Sequence, residues 1–248
     1  MLLSENINSA NLSYKNFRIK FEKTGVAKYI SHLDLNRIFS RAIIRAEIKI
    51  AYSEGFNPHP KIAFVSALSL GTESFCEFVD IKIIDVDNVS ESDIFNKLKN
   101  VFPLGINIKE AYAPNLDFKY IDSTRFYIFV KSNGFEAGEL NELFSGDVFV
   151  EKKPGLSVNL KDYICEIDVS QDYNELLLVP INSPTGEFGG TARSSLKEYI
   201  KIDAVVKTNQ TMFLNPENII KGINSKYSAG DYFIQKVEMY DKDFKIFR

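Results

Sequence analysis

Cys76 and Cys165 are the only cysteines in 248 residues. Neither has a Cys or His neighbour at metal-ligand spacing, which excludes a zinc site built on paired thiolates. A [4Fe-4S] cluster with one iron open to a cofactor needs three thiolates, commonly spaced C-x3-C-x2-C, and two cysteines set far apart in the chain cannot supply them. Both lie in apolar, strand-like stretches and read as reduced, packed thiols. There is no P-loop and no His/Glu pair at zinc spacing, so phosphoryl transfer on a Walker site and metallohydrolysis are disfavoured. Long apolar runs are missing too: no segment has the ~20 continuous apolar residues of a membrane span. Residues 1–15 are polar and rich in Asn and Ser, without an apolar stretch of signal-peptide length. These absences lead us to expect a cytoplasmic protein with no membrane partner and no metal or cofactor of its own.

Neither sign of charge dominates. The formal net charge is −3 and the isoelectric point about 5.6, which argues against coating nucleic acid through bulk electrostatics but permits a local basic face. With 45% hydrophobic and 25% charged residues, the chain can bury a sizeable core, as one large or two small domains.

The apolar pattern gives a repeated order of strand, helix, two strands, helix, strand. Phe17–Glu22 alternates as a half-buried strand until Gly25 breaks it. Ser31 opens a helix with Asp34 three residues on, and Leu35, Ile38, Phe39, Ala42, Ile43 and Ala46 supply its buried stripe. Ile62–Ala67 and Phe75–Ile84 read as strands joined through Gly71. Ser90 caps a second helix carrying Ile94, Leu98 and Val101, and Ile106–Tyr112 returns as a strand. This β-α-β-β-α-β order predicts a ferredoxin-like domain over 15–113, with an antiparallel sheet covered by helices on one face. After a linker at Ala113-Pro114-Asn115, a second ferredoxin-like domain with extra strands is expected over 120–248. Its strands are placed at Thr124–Val130, Asp147–Lys152, Tyr163–Val169, Leu176–Ile181 and Ala204–Leu214, and its helices at Glu136–Phe144 and Gly190–Ile200. The alternating aromatic tail, Tyr232–Phe247, is expected to add an edge strand. The fold class is therefore α+β, as two tandem ferredoxin-like domains inferred from element order alone.

The densest polar information lies between Lys15 and Gly71, where ten basic residues face four acidic ones, a net of +6. Arg37, Arg41 and Arg45 fall at i, i+4 and i+8, on one flank of the first helix. Two readings stand: a set of guanidiniums for phosphates, or the solvated face of an amphipathic helix. The following segment, Tyr52-Ser53-Glu54-Gly55-Phe56-Asn57-Pro58-His59-Pro60-Lys61, has two prolines that push Asn57 and His59 toward extended geometry and a glycine that permits a turn. Such a stiff loop could present Tyr52, Phe56, Asn57, His59 and Lys61 to a partner or a base, or be an ordinary connection. Gly186-Glu187-Phe188-Gly189-Gly190 before a helix could cradle an anion, or be a simple turn.

Three stretches together carry a resemblance: Tyr29-Ile30-Ser31-His32-Leu33-Asp34, then Ala51 to Ile62, then Leu68-Ser69-Leu70-Gly71-Thr72-Glu73-Ser74. They are similar to the radical-SAM-linked domain of unknown function DUF2344. The resemblance is specific through Gly71 and looser to about Phe213. In its later part Phe188-Gly189-Gly190-Thr191-Ala192-Arg193 resembles a small-residue turn ending in arginine, followed here by Ser194 rather than proline. In that family the domain stands alone or is fused behind a radical-SAM, often cobalamin-binding, module. The resemblance therefore implies a radical-SAM protein as partner, and no catalytic residue is carried over from it.

The expected function is a non-catalytic accessory protein that recognises a substrate, RNA or a ribonucleoprotein, for a separate radical-SAM enzyme. RNA is suggested by the basic segment, the aromatics and the fold class. The candidate binding residues are His32, Arg37, Arg41, Arg45, Tyr52, Phe56, Asn57, His59, Lys61 and Arg193. Two alternatives remain: a metal-independent endoribonuclease using His32, His59 and Tyr52 as acid and base, and a scaffold that binds only protein.

Overall fold

The structure, a computed structural model, describes residues 13–84, 88–171 and 199–248. It is a mixed α/β chain in which antiparallel strand pairing dominates. The chain divides into two compact units, the first from Met1–Glu22, Ile30–Leu68 and Glu77–Asn115, the second from Lys23–Tyr29, Ser69–Cys76 and Leu116–Arg248.

In the first unit the order is β1 (Tyr14–Lys23), α1 (His32–Arg45), β2 (Ile62–Phe64), β3 (Glu73–Ile84), α2 (Glu91–Leu98) and β4 (Ile106–Tyr112). The strands run β4-β1-β3, with β2 antiparallel to β3 from Ile62↔Ile81 to Phe64↔Val79. Both helices start where the sequence signals them. Ser31 Oγ accepts the Asp34 N–H at 3.1 Å, and at α2 the Ser90 and Asp93 side chains cap each other's backbone N–H. Each such cap satisfies amide donors that the helix leaves free and contributes about 1 kcal/mol. The apolar stripe of α1 buries Leu35, Phe39, Ala42 and Ile43. Phe39 meets Phe21 at 4.8 Å, Phe64 at 5.1 Å and Phe102 at 4.6 Å between ring centroids. This aromatic cluster fixes the rotation of α1 about its axis, and so decides which flank of the helix faces solvent. β2 ends at Phe64, three residues earlier than expected.

The second unit contains β5 (Ile121–Ser132), α3 (Ala137–Ser145), β6 (Phe149–Lys153), β7 (Leu156–Asn159), β8 (Ile164–Ser170), β9 (Tyr199–Lys207), α4 (Glu217–Asn224) and β10 (Ala229–Asp241). Its main sheet runs β10-β5-β9-β8 with antiparallel neighbours, and β6 and β7 form a separate two-stranded sheet. One apolar core holds Ile128 and Val130 of β5, Leu140 of α3, Ile200 and Ile202 of β9, Ile219 and Ile223 of α4 and Ile234 of β10.

Several expectations are corrected here. The aromatic tail is not an edge strand. β10 pairs antiparallel with β5 along most of its length and is also paired in parallel, through Gln235↔Glu73 and Lys236↔Ser74, with the start of β3, whose residues up to Cys76 belong to the second unit. The buried polar groups explain how those residues tolerate an interior position: Glu73 accepts from the Gly25 N–H at 3.0 Å and from Gln235 Nε2 at 3.1 Å. The strand expected over Ala204–Leu214 ends at Lys207, and the chain turns so that Thr208 bridges Phe213. Asp147–Lys152 supplies β6, which lies outside the main sheet. The helix expected over Gly190–Ile200 does not reach its stated end, because Tyr199 and Ile200 are in β9; its earlier residues, the strand at Leu176–Ile181 and the Gly186–Gly190 turn fall outside the described residues. Helix α4 was not expected, since its three isoleucines and Gly222 give it weak intrinsic helix propensity, and packing of its apolar face overrides that.

Candidate functional site: a basic cleft beside the first helix

The flank of α1 that faces away from the aromatic cluster carries Leu33, Asn36, Arg37, Ser40 and Arg41, at the i, i+3, i+4, i+7, i+8 positions of one helical surface. Opposite it runs the segment before β2. That segment is a closed loop: Tyr52 bridges Pro60, the Ser53 N–H donates to the His59 carbonyl at 2.8 Å, and the His59 N–H donates to Ser53 Oγ at 2.9 Å. Below it the Ala51 N–H donates to Lys82 O at 2.7 Å, which ties the loop base to β3. Gly55, at φ +118, makes the turn at the tip. Between helix and loop lies a cleft of about 420 Å³, lined by Leu33, Asn36, Arg37, Ser40, Arg41, His59, Pro60 and Ile62.

Among the described residues, no carboxylate lines this cleft. The nearest acid along the helix is Asp34, which receives a hydrogen bond from Arg37 Nη1 at 2.9 Å. Hydrogen bonding with Ser31, and then the bond and charge of Arg37, hold the Asp34 carboxyl below the usual carboxylate range. The pair is open to water on both sides, with 60% and 54% of the two side chains exposed, so it contributes little and Arg37 can leave it for a ligand. Arg41 has no hydrogen-bond or ion-pair partner among the described residues, which leaves its guanidinium free to fork around an oxyanion.

The sequence-derived residues separate into two groups. Arg37, Arg41 and His59 meet in the cleft. Arg45 does not: its Nη2 donates to the Val101 carbonyl at 2.6 Å, just beyond the end of α2. The regular i, i+4, i+8 stripe therefore splits, because the last arginine of the row lies within reach of an orphan carbonyl. His32 stands at the start of α1 with its ring 5.5 Å from Phe64, edge to face, and is not among the cleft residues. Tyr52 is held in the loop base, Asn57 and Lys61 are exposed outside the cleft, and Phe56 is wholly exposed at the loop tip. Arg193 falls outside the described residues. Other members of the basic segment are already engaged: Arg18 is fully buried in a two-pronged pair with Asp80, both distances 2.8 Å, and Lys15 Nζ donates to Val89 O at 2.9 Å. Sequence reasoning missed Asn36 and Ser40, although their spacing from Arg37 and Arg41 places them on the same flank.

The cysteines stay apart from this site. Cys76 is fully buried, and Cys165 is half-buried, its thiol pushed up chiefly by burial. Among the described residues no group of three or more His, Cys, Asp or Glu side chains is placed to hold a metal ion, and no helix is long and apolar enough to cross a membrane.

The family described as "Uncharacterized protein conserved in bacteria (DUF2344)" matches residues 16–216. The chain belongs to this family. The match contains the whole cleft and every element from β2 to β9, and it stops one residue before α4. The comparison of this DUF2344 chain with curated proteins finds no match.

Proposed function

We propose that this DUF2344 protein is a non-catalytic recognition partner that holds single-stranded RNA, free or in a ribonucleoprotein, and presents it to a separate radical-SAM enzyme in the cytoplasm. The observation that carries the RNA reading is the convergence of Arg37, Arg41 and His59 on one cleft that no carboxylate lines among the described residues. Such a cleft favours an oxyanion flanked by apolar surface, the chemistry of a nucleic-acid backbone. The element order of the first unit and the β10-β5-β9-β8 order of the second support reading each unit as a split β-α-β, the second with β6 and β7 inserted. The radical-SAM partner comes from the family resemblance and from the lack of three cysteines in these 248 residues, which would leave the cluster chemistry to another chain.

A nuclease would need its acid and base within reach of one phosphate. Of His32, His59 and Tyr52, only His59 lines the cleft, and nothing favours that alternative. Affinity purification from the native host, with identification of co-purifying protein and RNA, tests the proposal. Recovery of a radical-SAM protein together with RNA supports it. Recovery of protein partners with no RNA, even after crosslinking, would leave a protein scaffold instead.

A further inference from the structure

The polar groups of the cleft are not all donors, and the hydrogen bonds they already make decide which atoms remain for a ligand. Ser40 has one hydroxyl proton, and it is spent on the Asn36 carbonyl at 2.8 Å. The Ser40 oxygen therefore meets the cleft as an acceptor. Asn36 Nδ2 has two protons, and it lies 3.1 Å from the His32 carbonyl and 3.3 Å from His32 Nε2, so both are directed at His32, which leaves Oδ1, also an acceptor. Each acceptor is next in sequence to a guanidinium, Asn36 to Arg37 and Ser40 to Arg41, and all four line the same cleft.

A bare oxyanion satisfies the arginines but opposes the two acceptors. A ligand that suits the whole set must bring an anionic oxygen and, close to it, a hydroxyl or amino donor. The apolar patch of Leu33, Pro60 and Ile62 adds room for a ring or sugar face. We infer that the cleft is a ribonucleotide subsite, in which Arg41, assisted by Arg37, takes the phosphate and Ser40 Oγ with Asn36 Oδ1 accepts from the 2′-hydroxyl of the attached ribose. The inference rests on the RNA reading above and narrows it: the 2′-hydroxyl is the group that distinguishes RNA from DNA, and it lies on the carbon next to the one bearing the 3′-phosphate. At about 420 Å³ the cleft lies within the range of small-ligand sites.

The experiment measures fluorescence anisotropy of the full chain with three end-labelled single strands of one mixed sequence: RNA, DNA, and RNA carrying 2′-fluoro in place of every 2′-hydroxyl. RNA is expected to bind about three- to tenfold more tightly than either of the others, the size of one or two net hydrogen bonds. The 2′-fluoro strand keeps an RNA-like sugar and removes only the donor, so this arm needs no protein variant. Ser40→Ala combined with Asn36→Ala is expected to bring the RNA and DNA affinities together without changing the salt slope. Arg41→Gln is expected to weaken both strands by the same factor. Loss of the Ser40 bond to its own helix does not threaten the fold, because such back-bonds slightly destabilise helices. Equal binding of RNA and 2′-fluoro RNA, or an RNA preference that survives the double variant, overturns the hydroxyl assignment while leaving RNA binding intact. Absence of binding to all three strands overturns the RNA reading itself.

Discussion

Arg18 and Asp80 show how a charge that looks available in the sequence is committed in the fold. The guanidinium is fully buried and forked onto a carboxylate whose side chain is 27% exposed. Replacing Asp80 with alanine would take both of these hydrogen bonds from a buried cation, which costs about 3 kcal/mol, and chemical denaturation should show that loss against wild type. Asp122 is a second case. Burial pushes its carboxyl up, but hydrogen bonds from Lys207 and Asn209 and the Lys207 charge outweigh this and hold it below the usual carboxylate range. Because its folded pKa is depressed, its contribution is fully present above the ordinary carboxylate value, about 3.9, and is lost as pH falls through the folded value. The Lys207 ammonium is raised mainly by its hydrogen bond to Asp122, so its share persists through neutral pH and is lost only as pH rises past about 10.4. Wild type should therefore be more stable than Asp122→Asn at pH 7, with the gap narrowing as pH approaches about 3. Urea midpoints that differ equally at both pH values would contradict this.

Among the elements, α4 gives the sharpest test of packing. A Cβ built on Gly222 would lie 2.7 Å from Leu160 Cδ1 and 3.1 Å from Val148 Cγ1. Alanine would gain about 1 kcal/mol of helix propensity there, whereas forcing a methyl into a filled core costs about 1–3 kcal/mol. The close contact to Leu160 tips the balance, so Gly222→Ala should lower the thermal midpoint; a rise would mean that the helix can shift outward without loss. The same helix shows where sequence reading stopped. α1 and α2 were legible because Ser31 and Ser90 announce their starts and an apolar stripe follows at helical spacing. In α4 the start signal lies in Asn215, whose Oδ1 accepts from the Glu217 N–H at 3.1 Å just ahead of the helix, but Ile219, Ile220 and Ile223 suit a strand as well as a helix and mask it. β10 was legible as a strand, but its place between β5 and the start of β3 was not, because the Glu73 and Gln235 bond that stabilises that place joins residues 162 positions apart. In the cleft, Arg37, Arg41 and His59 could be read from charge and loop stiffness. That Arg45 turns away to Val101, 56 residues on, depended on where α2 ends in space.

At the scale of the whole molecule, a net charge of −3 gives RNA no long-range attraction, so affinity has to come from the few cations that touch it. With Arg41 and Arg37 on one phosphate, log K should fall against log salt with a slope of about −0.7, as expected for single strands. Between about 50 and 200 mM salt that is roughly a two- to threefold loss of affinity, far less than for a protein that coats RNA with many cations. Replacing Arg37 and Arg41 together with glutamine should flatten the slope nearly to zero and weaken binding across sequences. Arg45→Gln separates the cleft from the helix face as a whole. All three arginines lie in α1, but Arg45 is engaged by Val101, so its loss should cost about 1 kcal/mol of stability and leave the slope unchanged. Salt titrations of wild type and the two variants read all of this directly. If Arg45→Gln reduces the slope as much as a cleft arginine does, RNA runs along the helix rather than into the cleft. If the double variant binds RNA with unchanged slope but fails to retain a radical-SAM protein, the arginine flank is a protein docking face.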